Sequence, residues 1–61
     1  MSTFISKMNT ADALAKLCRQ GHIPVVTLND TLSEMGFAGV KIDDRSISVV
    51  VDGNTYELRS T

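Results

Sequence analysis

The sequence predicts an α+β domain: two or three short N-terminal helices packed on one face of a C-terminal three-stranded antiparallel β-meander. Three observations carry that expectation. Residues 40–59 read VKIDDRSISVVVDGNTYELR, an alternating apolar/polar run interrupted by two acidic turn signals. Residues 9–21 carry an apolar stripe at helical spacing that ends on glycine. Residues 27–36 repeat that arrangement.

In chain order, residues 2–9 place Phe4, Ile5 and Met8 at spacings that suit one helical face, with Ser2 as the cap. An extended arm is the alternative there. Asn9-Thr10 reads as a fresh helix start, with Asp12 in the first turn where a carboxylate meets the helix dipole favourably. Ala11, Leu14, Leu17 and Cys18 form the apolar stripe, with Ala15 beside it. Asp12 and Lys16 stand i,i+4 for a surface pair. Gly21 stops the helix, because glycine takes the left-handed conformation at no Cβ cost. Pro24 then makes residues 22–26 an extended connector, and Val25-Val26 leave room for a short edge strand. Thr27 or Asn29 caps the next helix, which buries Leu28, Leu32 and Met35. Gly36 ends it, with Phe37 folding back on the last turn.

Asp52-Gly53 is a two-residue hairpin signal, since a type I′ turn needs positive φ at both central positions. Folding there sets Val51 against Asn54, Val49 against Tyr56 and Ile47 against Leu58. A second tight turn at Asp43-Asp44 sets Val40 against Ile47. Val40, Ile42, Ile47, Val49, Val51, Tyr56 and Leu58 then share a dry face. Lys41, Ser46, Ser48, Thr55, Glu57 and Arg59 share the wet face, where Val50 is the one apolar member. The expected core is Phe4, Met8, Leu14, Leu17, Leu28, Leu32, Met35, Phe37, Val40, Ile47, Val49, Tyr56 and Leu58.

With 61 residues, the chain is a single domain, 1–61, of a size that gains from any further apolar burial, including self-association into a homodimer. A lone Cys18 forms no internal disulfide and suits a reducing, cytoplasmic setting. No apolar run approaches the length of a membrane span, and residues 1–16 lack the pattern of a secretory signal. The charge is −1, from six Lys or Arg against seven Asp or Glu, with no basic run. Nucleic acid is therefore a poor match, because non-specific affinity rests on clustered cations.

Catalytic chemistry finds no foothold. Cys18 and His22 have no further Cys or His to complete a zinc set, and they read as a small buried hydrophobe and a loop residue. Asp43, Asp44 and Asp52 sit at turns, where Asp bonds the local backbone, and the two turns lie at opposite ends of the central strand. No glycine pattern matches a phosphate loop. The expectation is a protein without catalytic activity, cofactor or metal. It would be a small binding module, of the regulator or inhibitor kind that phage and bacterial genomes supply, that occupies a surface of a larger protein. Its contact residues would be Lys41, Ser48, Val50, Thr55, Glu57 and Arg59, a weakly charged β surface with an apolar centre. The alternative is a winged-helix-like DNA-binding regulator. Helix order favours it. The would-be recognition helix opposes it, since that segment carries Asp30 and Glu34 and no Lys or Arg.

Overall fold

The computed structural model describes residues 3–59. Its element order is α1 (Thr3–Arg19), α2 (Val25–Glu34), β1 (Gly39–Ile42), β2 (Ile47–Val51) and β3 (Asn54–Leu58). This is the expected α+β order, with two helices ahead of a three-stranded antiparallel meander.

The first helix corrects the sequence reading. Asn9-Thr10 does not start a second helix; α1 runs through it unbroken. No glycine or proline lies between Thr3 and Arg19, so nothing interrupts the backbone ladder. The Thr10 hydroxyl donates to the Ser6 carbonyl at 3.1 Å, satisfying itself within the helix instead of capping a new one. Asp12 is therefore a mid-helix residue, and the acid-at-the-dipole argument does not apply to it. Its Oδ1 accepts the backbone N–H of Arg59 at 2.9 Å, which ties α1 to the chain just past β3. The expected Ser2 cap lies outside the described residues.

The buried face of α1 centres on Ala11 and Ala15, both fully enclosed, with Met8, Leu14 and Cys18 packed around them. Methyl side chains at the centre allow the helix axis to lie close to the sheet. Leu17 and Phe4, expected in the core, are each 39% exposed. Leu17 falls about 200° round the helix from Ala15, because each residue advances about 100°. Phe4 lies at the helix start and meets only the rim, with its ring edge-on to Tyr56 at 5.4 Å and 61°.

The second helix starts earlier than Thr27 or Asn29. Pro24 is its N-cap, extended at φ −75° and ψ 157°, and the Pro24 carbonyl accepts the Leu28 N–H at 3.1 Å. Proline suits a helix start, where its missing N–H has no partner to lose, and the backbone it restricts is that of Ile23 before it. Val25 and Val26 thus enter the first turn of α2 rather than an edge strand. Both helices end in the same motif. In α1 the N–H of His22 reaches the Leu17 carbonyl at 2.9 Å and that of Gly21 reaches Cys18 at 3.1 Å. In α2 Phe37 reaches Leu32 at 3.4 Å and Gly36 reaches Ser33 at 3.1 Å. Gly21 and Gly36 take φ of 82° and 96°, which this double bond requires.

The β2–β3 hairpin has the expected register, Ile47↔Leu58, Val49↔Tyr56 and Val51↔Asn54. Its turn has φ of 51° at Asp52 and 82° at Gly53, the type I′ signature. The β1–β2 hairpin differs. Val40 pairs with Val49, not Ile47, and Ile42 pairs with Ile47. The loop spans residues 43–46 and is closed by the Asp43 N–H on the Ser46 carbonyl at 2.8 Å. A two-residue turn would have set Ile42 against Arg45; the longer loop sets apolar against apolar. The shift is even, so every side chain keeps its expected face.

In the helical layer, α1 covers β3, α2 covers β1, and the helices also touch each other. The Lys7 ammonium sits 5.3 Å from the Phe37 ring centroid, which places the start of α1 beside the end of α2. Arg19 donates to the Asp43 carbonyl and so holds the other end of α1 to the β1–β2 loop. Between the layers lie Ala11, Ala15, Leu28, Leu32, Phe37, Ile47, Val49 and Leu58, with no polar or charged side chain buried among the described residues.

Candidate functional site

Side chains alternate along a strand, so the residues that do not meet the helices form the outer sheet face. The register sorts them into rows across the three strands. One row is Gly39–Val50–Thr55 and the next is Lys41–Ser48–Glu57. Lys41, Thr55 and Glu57 are exposed, while Ser48 and Val50 are half-buried. Arg59 follows Leu58, is exposed, and has its backbone pinned by Asp12. All six expected contact residues therefore lie on the open side or at its border.

The face is not flat. A groove of about 450 Å³ is lined by Gly39, Val40, Lys41, Asp43, Ser46, Ser48, Val50 and Thr55. Gly39 shapes it. A Cβ on Gly39 would stand 3.4 Å from Val50 Cγ2 and 3.7 Å from Val50 Cβ, in contact along one side of the valine. Glycine instead leaves that side of Val50 open to a visitor. Sequence reasoning missed Gly39 as part of the site, because it began the sheet at Val40. The register expected from the sequence sets Gly39 opposite Ser48, and only the observed register brings it opposite Val50. Asp43 also went unplaced, since a turn residue was assigned no face.

The remaining candidates do not assemble. Helix α1 ends before His22, so Cys18 and His22 are not on one continuous helical face. Cys18 is half-buried against the core, and His22 is exposed. The Asp43-Asp44 loop and Asp52 lie at opposite ends of β2. Among the described residues no group of three His, Cys, Asp or Glu side chains is placed to hold a metal ion. A second hollow, about 510 Å³, lies at the β1–β2 loop and is lined by Ile42, Asp43, Asp44, Arg45 and Ser46. It is formed by the loop and the strand end beside it, with no cysteine or histidine in its lining. Among the described residues no helix is long and apolar enough to cross a membrane.

No family model matches the chain, and neither a curated protein nor a solved structure does. The functional reading therefore rests on the geometry above.

Proposed function

We propose that the chain is a small, non-enzymatic protein-binding module, a regulator or inhibitor that acts by occupying a surface of a larger protein. It docks through the outer sheet face. The observation that carries this reading is the groove in which a half-buried Val50, left open by Gly39, is bordered by Ser48, Thr55 and Lys41. An apolar centre inside a polar, weakly charged rim is how a docking patch differs from ordinary surface. A cytoplasmic, reducing setting suits the lone free thiol of Cys18.

The charge pattern favours this reading over a winged-helix DNA binder. The helix that would read DNA, α2, exposes Asn29, Asp30, Ser33 and Glu34 and contains no Lys or Arg. Phosphates would meet carboxylates there.

The test is capture of partners by the tagged chain and by its Val50→Glu variant, each with nuclease. The expected result is one discrete protein that the wild type retains and the variant loses, with both melting alike. Equal capture by both chains removes this face as the docking surface. A set of proteins that vanishes with nuclease supports the DNA-binding alternative.

A further inference from the structure

We propose that the outer sheet face is self-complementary, and that its resting occupant is a second copy of this chain, docked face to face about a two-fold axis parallel to β2. The inference deepens the reading of this face as a docking surface and names what covers it when no partner is bound.

On the β1 side stand Lys41 and then Asp43; on the β3 side stand Glu57 and then Arg59. All four are exposed. Lys41 and Glu57 share a row through Ser48. Asp43 bonds Ser46 across the loop, and Arg59 stands one position past the Ile47↔Leu58 pair, so these two extend the same pattern by one row. The two edges of the face therefore read plus, minus on one side and minus, plus on the other.

A face-to-face dimer has two simple two-fold axes in its plane. An axis across the strands lays β1 on the partner's β1 and brings Lys41 to Lys41 and Glu57 to Glu57 when it passes through their row. An axis along β2 lays β1 on the partner's β3. Lys41 then meets the partner's Glu57, and Asp43 meets the partner's Arg59. Symmetry makes each contact occur twice, because an isologous interface pairs i with j and j with i. Val50 lies over Val50 and Ser48 over Ser48, on the axis. Gly39 lies over Thr55, so the lowest point of one copy receives a side chain from the other. An axis across the strands set midway between the Lys41 and Asp43 rows also pairs opposite charges, Lys41 with Asp43 and Glu57 with Arg59, but it carries the Gly39–Val50–Thr55 row past the end of the partner's face and leaves Val50 uncovered. Like charges brought together are strongly disfavoured, so the axis along β2 is the one that both pairs opposite charges and covers Val50.

The size of the face sets the strength. Three strands at about 4.8 Å and five residues at about 3.3 Å give a footprint of roughly 14 by 17 Å. That belongs to the small, transient class of interface rather than the obligate class. The dimer should form at high concentration, dissolve on dilution and weaken with added salt. It would hide Val50 until a larger partner with the same charge order competes for the face.

Charge-reversal pairs test this directly. Self-association is measured by sedimentation equilibrium from micromolar to millimolar chain for the wild type, Lys41→Glu, Glu57→Lys and the double variant. Each single reversal should weaken self-association about tenfold or more, since it sets like charges opposite each other twice. The double variant should recover the wild-type value. An equimolar mixture of the two single variants should associate although neither does alone, because every contact in the mixed dimer is then attractive. Both positions are exposed, and unchanged melting curves establish that the variants fold. A wild type that stays monomeric throughout overturns the proposal. So does self-association that the single reversals leave unchanged, or a mixture that fails to associate. None of these outcomes depends on the larger partner, so the protein-binding reading stands or falls separately.

Discussion

Val49 and Val50 are adjacent valines in β2, and they do different things. Val49 is fully enclosed between Val40, Tyr56 and the helices, whereas Val50 is half-buried beside a glycine on the open face. The dry face holds Ile47, Val49 and Leu58 under two helices and carries the stability of the chain. Among the described residues the outer face has no such cover, and its rows mix charge, hydroxyl and one valine. The comparison teaches that in a chain this short one sheet face is fully committed to folding. The other is left outside the core.

The largest test of that division is on the dry side. Leu32→Ala removes a fully buried side chain and leaves a void that the small core has little freedom to close. The expected loss is about 2–5 kcal/mol in denaturant unfolding, a large share of what a domain of this size has. Ala11→Leu probes the same layer by adding volume where α1 lies close to the sheet. Overpacking should cost about 1–3 kcal/mol, and a neutral result would show that the helix stands further off than its buried alanines imply. Gly36→Ala should cost about 1–2 kcal/mol, from the strain of a Cβ at φ 96°. The Lys7 ammonium, 3.4 Å from that Cβ, is the end of a flexible side chain and moves aside. Asp12→Ala removes the acceptor of the Arg59 N–H and should cost about 0.5–1.5 kcal/mol by the same measurement. An unchanged midpoint would mean that water replaces the carboxylate without loss.

How far the sequence revealed this division follows from which signals are local. The two faces were legible because alternation has period two and the Asp52-Gly53 turn declares its own geometry. The β1–β2 register was not. A shift of two residues preserves both faces, and only the cross-strand choice between Arg45 and Ile47 for Ile42 decides it. The length of α1 was hidden by Asn9-Thr10, a local cap preference that an unbroken helix packed on the sheet overrides. Ala11 and Ala15 were undervalued because a small residue gives a weak hydrophobic signal, although close helix–sheet approach is where small residues belong. The outer face was legible in its members. Its groove was not, because that depends on Gly39 standing opposite Val50 in the corrected register.

The most direct measurement is a paired one, equilibrium unfolding of Val49→Glu and Val50→Glu under the same conditions. A carboxylate at Val49 has no buried partner and no water, a penalty of several kcal/mol. The account predicts that Val49→Glu is unfolded or nearly so without denaturant, while Val50→Glu unfolds within about 0.5 kcal/mol of the wild type. Comparable destabilisation by both substitutions would contradict it, because the outer face would then be holding the fold together rather than standing free for a partner.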